Sequence, residues 1–568
     1  MASEAPIKIF RKQFQSAKMK KIILLLALTA IIQNMQAQKS SPAKPLKKTV
    51  ATTVSNTNAS TTTSPLSGIF YAPSGIGIVL QNNGKNDLTI APKKETGKTF
   101  SIINFNFPTP VANETKFNIT AKKIPAGQTL YFYRGTVGVT PQSNKIKIAA
   151  DYTYDLVTRS SNDAKFSTFY DGSDVAVGGN PGEEGRYIAF VSSAILSGGS
   201  GKYRQIFWRD RNTGTTKLIS AAVTGEEGNG DCYAPALSGD GLHVAFESHA
   251  TNLIAEDKNG VKDIFVWHSV TNKIERVSVG NDDKEANAAS YEPSVSGDGN
   301  LIAFTSTASN ISATQKGESN NNVFLRDMAL NTTIMISVDP SSKKGGGGSN
   351  ASIAYDGKRM AFYSHTSTLV SNDKNGFWDI FLWEENIPQL KRISLTADGK
   401  ERNQGEESAN RIVAPSISGN GRFIAFTTTA SNMVPGDDKN FQDVFIYDTQ
   451  TNTTIIASKS DDGKFGNADS PIGQGEKIAF SFDGNYVAYS TKATNLGVPA
   501  SNIVLYEVAA KKNKAVSTVA GSSVGRAVMS YSGSYVVFGI GAKLDSRFAS
   551  SGIFANYTGV GPCRFCPL

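Results

Sequence analysis

Cysteine, histidine and net charge on the folded body are what this 568-residue chain has least of. Three cysteines (Cys232, Cys563 and Cys566) are too few for a disulfide scaffold. The four histidines show no metal-ligand spacing, and no HExxH or GxSxG element occurs. The run Gly345–Gly348 has no Gly-Lys-Ser/Thr ending and reads as a flexible connection rather than a phosphate loop. The formal charge of +9 sits ahead of the body: residues 1–37 carry +5 and residues 38–67 carry +4, which leaves residues 68–568 neutral. A nucleic-acid binder carries its basic excess on the folded surface, so that class is excluded.

Long apolar runs are scarce too. The longest, Ile22–Ile32, follows Met19-Lys20-Lys21 and precedes Ala37. It is too short to span a bilayer, which takes about 20 residues. A basic start, an apolar centre and a small residue before the cut predict a signal peptide over 1–37, with Met19 as the true start. The expectation is an exported, monomeric protein of the periplasm or cell surface, with no transmembrane segment after cleavage. Residues 38–67, rich in Ser, Thr, Pro and Lys, cannot bury enough apolar surface to order and read as a linker.

What the chain has in quantity is glycine (52 residues) and short alternating apolar runs. Residues 68–150 hold six or seven such runs between turns like Asn82-Asn83-Gly84, which predicts a small β-sandwich. From residue 154 one paragraph repeats. Its second strand closes on Ala189-Phe190, Ala245-Phe246, Ala303-Phe304, Ala361-Phe362, Ala425-Phe426, Ala488-Tyr489 and Val537-Phe538. Turns such as Ser238-Gly239-Asp240-Gly241 precede these pairs, and runs such as Arg276-Val277-Ser278 end the units. A fixed period of this length means stacking of one supersecondary unit. Seven second and third strands accompany only six fourth strands, so the missing one is assigned to residues 156–160, which complete the last blade beside 552–555. The predicted class is all-β: a seven-bladed β-propeller over 151–560 behind the sandwich, with 561–568 as a tail. Six blades and a stray hairpin is the alternative.

Two resemblances follow from these residues. IGIVLQNNGKNDLTI with FNITAKKIPAGQTLYF resembles immunoglobulin-like modules of bacterial surface proteins. Units of the type PALSGDGLHVAFESHATNLIAEDKNGVKDIFVWHSVTNKIERVSV resemble TolB-type, WD-repeat-like β-propeller repeats. That family includes exported proteins that bind other proteins, and propellers attached to hydrolases or lyases. Fold alone does not choose between them.

The best chemical candidates are the loops Asp257-Lys258-Asn259-Gly260-Val261-Lys262-Asp263 and Asp373-Lys374-Asn375-Gly376-Phe377-Trp378-Asp379. Asp257, Asn259, Asp263, Asp373, Asn375 and Asp379 are oxygen donors suited to calcium, and their spacing is similar to the calcium loops of integrin-type propellers. A missing acidic position and the internal lysine favour Asx-turns instead. Asp438–Asp443 reads as a shortened copy. No catalytic set emerges, and no cofactor beyond possible calcium is expected. The leading expectation is a non-enzymatic binding or scaffold protein for a protein or glycan of the cell envelope; the alternatives are a lyase or hydrolase at a channel mouth, and a calcium-stabilised adhesin. A cluster of charged residues from several blades at one mouth is the feature that separates the first two.

Overall fold

The computed structural model describes residues 63–558, apart from 65, 74–76, 92–99, 109–110, 113–115, 124–127, 135–136, 140–145, 153, 157–173, 182, 184, 194–195, 197, 256, 313–320, 406–412, 472–476, 500, 517–523 and 541–551. The predicted signal peptide, most of the linker, and the tail with Cys563 and Cys566 lie outside the described residues. Every described element is a strand, and among the described residues no helix is long and apolar enough to cross a membrane.

Strand pairing begins with Thr63–Ser64 against Val111–Ala112. Two four-stranded sheets follow, ordered Phe100–Asn106, Ser67–Pro73, Ile146–Tyr152, Gln128–Arg134 and Lys85–Ile90, Ile78–Asn82, Lys116–Lys123, Val137–Val139. Phe70 and Phe105 of the first share one buried cluster with Ile78, Leu80, Ile90 and Ile119 of the second.

Seven further four-stranded antiparallel sheets fill the rest of the described chain. Sheet 1 is Val175–Gly178, Tyr187–Ser192, Gln205–Asp210 and Thr215–Leu218. Sheet 2 is Cys232–Leu237, His243–Ser248, Asp263–His268 and Lys273–Arg276; sheet 3 is Ser290–Val295, Leu301–Ser306, Asn322–Asp327 and Thr332–Met335. Sheet 4 is Ser349–Ile353, Arg359–Ser364, Asp379–Glu384 and Lys391–Arg392; sheet 5 is Ser416–Ile417, Phe423–Thr428, Asp443–Asp448 and Thr453–Ile456. Sheet 6 is Ala479–Phe480, Tyr486–Thr491, Asn502–Glu507 and Lys512–Ala515. Sheet 7 combines Val524–Met529, Tyr535–Ile540 and Gly552–Tyr557 with Tyr154–Leu156, which pairs Tyr154 with Asn556 and Leu156 with Phe554. An early strand thus completes the last sheet; of the predicted span 156–160, residues 157–160 lie outside the described residues.

The Ala-Phe pair explains how the sheets stack. Neighbouring strand residues point to opposite faces. Phe246 therefore packs with Ala189 and Ile206 of sheet 1, while Ala245 packs with Ile302 and Phe304 of sheet 3. The same hand-over joins Ala303 to Phe362, Ala361 to Phe426, Ala425 to Tyr489 and Ala488 to Phe538. A small residue on one face admits the aromatic of the next sheet. Each such phenylalanine is fully buried, and truncating one costs about 3–5 kcal/mol. Sheet 7 also meets sheet 1: the Arg211 guanidinium lies 4.7 Å from the Tyr535 ring centre and donates to Gly185 O at 2.9 Å. The sheets pack as a β-propeller.

Candidate functional site

A cavity of about 640 Å³ runs along the axis, and the inner strands of all seven sheets line it. Its two ends differ, because the chain treats the turns at each end differently.

At one end the turns between first and second strands close a floor. Backbone bonds link them in chain order: Gly179 N to Gly239 O (3.0 Å), Asp240 N to Gly297 O (3.1 Å), Gly297 N to Tyr355 O (2.8 Å), Tyr355 N to Gly419 O (2.9 Å), Asn420 N to Phe482 O (2.8 Å) and Phe482 N to Tyr531 O (2.6 Å). The second turn position is glycine at 239, 297 and 419, and aromatic at 355, 482 and 531. The three rings cluster, with Phe482 and Tyr531 stacked at 4.1 Å and Tyr355 edge-on to Phe482 at 5.0 Å. Tyr355 Oη donates across the axis to Asn180 Oδ1 at 3.0 Å. The glycines make this possible: a Cβ on Gly239 would sit 2.0 Å from the Tyr355 ring, and one on Gly419 would sit 2.3 Å from Phe482.

At the other end the mouth is polar. Asp174, Tyr233, Glu247, His249, Lys262, Glu292 and Asn350 line it, from four sheets. The first strands of sheets 2, 3 and 4 bulge here, which puts Ala234, Glu292 and Asn350 at φ of 46°, 56° and 54°. A bulge frees backbone N–H groups from the ladder, and a carboxylate from the preceding sheet accepts each one. Asp174 Oδ2 takes Ala234 N at 3.2 Å, Glu247 Oε1 takes Glu292 N at 2.7 Å, and Glu292 Oε2 takes Asn350 N at 3.0 Å. Lys262 Nζ donates to Glu247 Oε2 at 2.8 Å and lies 4.5 Å from the Tyr291 ring centre. Burial, then the neighbouring Glu247, push the Glu292 carboxyl upward. His249 stands edge-on to Tyr233 at 6.4 Å. The charged cluster that separates the two leading expectations therefore exists, but its carboxylates also latch neighbouring sheets together.

The predicted calcium residues lie at the rim rather than on the axis. In sheet 2, Asn259 Oδ1 accepts Val261 N at 3.0 Å, an Asx-turn, and its Nδ2 donates to Asp263 Oδ2 at 2.7 Å. Asn375 does the same toward Phe377 N and Asp379 Oδ2, at 2.9 and 2.8 Å. The carboxylates converge on an arginine from the fourth strand. Arg276 lies 3.3 Å from Asp257, 3.9 Å from Asp263 and within bonding distance of Glu285. Arg392 lies 2.8 Å from Asp373, 3.3 Å from Asp379 and 3.1 Å from Glu401. Arg402 adds a second guanidinium 3.4 Å from Asp379. Desolvation pushes Asp263 up to about 6. Among the described residues no group of three or more His, Cys, Asp and Glu side chains is placed to hold a metal ion.

The arginines were readable in the sequence as the first residue of Arg-Val-Ser and Arg-Ile-Ser, but only as strand residues. The serine of that motif has a partner as well. Ser220, Ser278, Ser337, Ser394 and Ser458 each donate to the side chain that opens the third strand, which is Gln205, Asp263, Asn322, Asp379 and Asp443 in turn. The third copy of the acidic loop is also not shortened. Asp263, Asp379 and Asp443 all follow their Ala-Phe pair by seventeen residues, so Asp437, not Asp438, matches Asp257 and Asp373. There the arginine position is Ile456, and Asp443, without a guanidinium, is pushed by burial up to about 7.

Two further placements escaped the sequence. His243 and His268 face each other across adjacent strands with Nδ1 atoms 2.8 Å apart. Cys232 is fully buried beside Ser248 Oγ at 3.2 Å, and desolvation pushes its thiol up to about 12. It is a free cysteine.

Comparison with known proteins gives fold neighbours. No protein-family model matches the chain, and no curated protein matches it. Among solved structures it is similar to TolB from Acinetobacter baumannii, with 15% identity and TM-score 0.30. That alignment covers 67% of this chain, which spans 62% of the TolB length. The β-propeller domain of the Trilobed protease from Pyrococcus furiosus has 14% identity and TM-score 0.41, covering 69% of this chain and 96% of that one. An oligogalacturonate lyase in complex with manganese has 10% identity and TM-score 0.41, covering 71% and 96%. The chain is thus similar to TolB-like and other β-propeller proteins at identities that speak to fold and not to activity.

Proposed function

We propose that this is an exported, non-enzymatic binding protein that takes a protein or glycan of the cell envelope at the open mouth of its axial cavity. In this reading seven blades form a closed ring behind an immunoglobulin-like sandwich. The observation that carries it is the asymmetric axis: aromatic rings floor one end, while polar groups from four sheets surround the other. The mouth carboxylates accept backbone N–H groups of the next sheet, which suits a rigid recognition surface. No cofactor enters the reading. The two Asp-Lys-Asn-Gly loops are treated as closed by Arg276 and Arg392 rather than by calcium, and equal melting temperatures in calcium and in chelator are expected.

The test is a pull-down from envelope extract with residues 38–568 as bait, beside His249→Ala at the mouth and Lys477→Glu, a cavity-lining residue just ahead of the first strand of sheet 6. A partner retained by the parent and lost by both variants supports the reading. A partner indifferent to both refutes the use of this mouth. Glu292 supports a second reading, a polysaccharide lyase or hydrolase, because a carboxyl with a raised pKa beside another carboxylate is what general acid–base chemistry uses. Turnover of a polysaccharide that Glu292→Gln abolishes without lowering the melting temperature would establish that reading in place of the first.

A further inference from the structure

The perimeter between sheets 3 and 4 carries a groove of about 730 Å³ whose walls include Ile334, Val338, Leu369, Trp383, Ile387 and Leu390. Two other junctions show what closes this place elsewhere. Between sheets 2 and 3, Asn281 Oδ1 accepts the outer-strand N–H of Thr333 at 2.5 Å, and Thr333 Oγ1 donates to Val279 O at 2.7 Å. Between sheets 5 and 6, Asp461 Oδ1 accepts Asn513 N at 2.9 Å, and Asn513 Nδ2 donates to Lys459 O at 2.8 Å. In sheet 3 the matching loop position is Pro340, which has no side-chain acceptor. Its neighbour Asp339 instead turns back on its own loop, to Ser341 N at 2.7 Å and Ser342 Oγ at 2.8 Å.

Sheet 4 withdraws from the same junction. Its turn contains Pro388, and its fourth strand pairs only at Lys391 and Arg392, so Trp383 and Glu384 have no fourth-strand partner. The result is an apolar trough with Ile334 and Ile387 about half exposed, at 49% and 51%. Its lining holds Lys343, Lys391 and Arg392 and no carboxylate. Arg392 is neutralised by its three acidic neighbours and the Lys391 ammonium turns to Asn452 and the Tyr447 ring of sheet 5, whereas Lys343 is exposed at the edge.

We propose that this groove docks an extended segment of a partner protein, apolar at alternate positions and carrying carboxylates between them. The lining reaches from the loop that follows the fourth strand of sheet 3 to the turn ahead of the fourth strand of sheet 4, which lie at opposite ends of the strands. That is the track of a strand, which rises about 3.3 Å per residue, and not of a compact solute. Strand addition beside a sheet takes affinity from backbone bonds and specificity from pockets for every second side chain, and Lys343, in a lining without carboxylates, supplies the preference for acid.

The test uses two fluorescein-labelled octapeptides that alternate valine and isoleucine with glutamate in one and lysine in the other. Each is titrated into the full chain and followed by anisotropy. The acidic peptide should bind about tenfold or more tightly than the basic one, consistent with electrostatic selection. Ile387→Asp should weaken it by about tenfold, since it removes an apolar wall and adds a like charge, and Lys343→Glu should narrow or reverse the preference. Both positions are exposed, so unchanged melting curves are the control for folding. Equal affinity for the two peptides, no binding of either, or acidic-peptide binding that both substitutions leave intact would each overturn the proposal. So would sedimentation showing self-association that Ile387→Asp abolishes, because the occupant would then be a second copy of this chain.

Discussion

Asp443 offers the sharpest test of how the stacked sheets are held. It opens the third strand of sheet 5, buried to 2% exposure, and accepts the Ser458 hydroxyl. Its counterparts have help that it lacks: Asp263 has Asn259 and Arg276, and Asp379 has Asn375, Arg392 and Arg402. Asp443 has Ile456 in the arginine's place, and burial, then Asp437 and Asp469 nearby, push it up to about 7. A carboxyl raised above its unfolded value binds its proton more tightly in the folded state. Its stabilising effect is complete below pH ~4, where both states are protonated, and is lost as pH rises through 7. At ~1.4 kcal/mol per pH unit the ionised group costs the fold roughly 4 kcal/mol at pH 8 relative to a neutral side chain. Asp443→Asn keeps the acceptor for Ser458, as Asn322 does in sheet 3 for Ser337, and gives an amide N–H2 that can donate toward neighbouring Asp437, whose buried Oδ2 has no bonding partner among the described residues. The expected result, by calorimetry in chelator, is a variant that melts several degrees higher at pH 8 and level with the parent at pH 4. Ile456→Arg should give a similar gain at pH 8, and the two gains should not add, since each removes the same uncompensated charge. A difference that stays constant from pH 4 to 8, or an Asp443→Asn variant that is less stable at pH 8, would refute the reasoning.

The remaining predictions are shorter. Gly239→Ala should destabilise the floor, because its Cβ meets the Tyr355 ring at 2.0 Å; adding Tyr355→Ala should recover part of the loss in a double-mutant cycle of melting temperatures. Arg392→Met removes the guanidinium shared by Asp373, Asp379 and Glu401 and leaves Arg402 beside Asp379, and should cost about 3–5 kcal/mol in urea unfolding. Cys232, buried with a raised thiol, should resist maleimide at pH 7.5 and react only after denaturation; a protected state that needs a reductant would instead show pairing with a tail cysteine. Thermal melting in millimolar calcium and in chelator should coincide, and a calcium-dependent rise abolished by Asp257→Asn would show that the Asp-Lys-Asn-Gly loops bind the ion.

The stacking of four-stranded sheets was legible because its packing chemistry is local and copied. Alanine beside phenylalanine dictates which face meets which neighbour, and Ser-Gly-Asp-Gly encodes a turn in which Ser238 Oγ and Leu242 N both donate to Asp240 Oδ1. What stayed hidden were partners fixed by register between strands. The Asp-Lys-Asn-Gly loops carry the right atoms for calcium, and nothing within seven residues says that an arginine thirteen positions on reaches back to the same carboxylates. His243 and His268 are 25 residues apart and meet only because their strands align at that pair. The off-by-one reading of Asp438 had a remedy in the sequence: counting from the Ala-Phe pair, instead of matching the loop text, selects Asp437.

Repetition also explains why the informative residues are the ones that break the repeat. Copies of one unit around an axis would place identical side chains at the centre, where there is no room for a ring of tyrosines and no filling by a ring of glycines. The chain resolves this with glycine at 239, 297 and 419 and aromatics at 355, 482 and 531, so that three rings occupy space that three absent side chains vacate. The same logic holds at the perimeter, where Pro340 and Pro388 interrupt a junction that Asn281 and Asp461 close elsewhere. Positions that hold the sheets together have to resemble one another, because each meets the same neighbour. Positions that face the mouth or the outer groove carry no such constraint, and recognition can be built there.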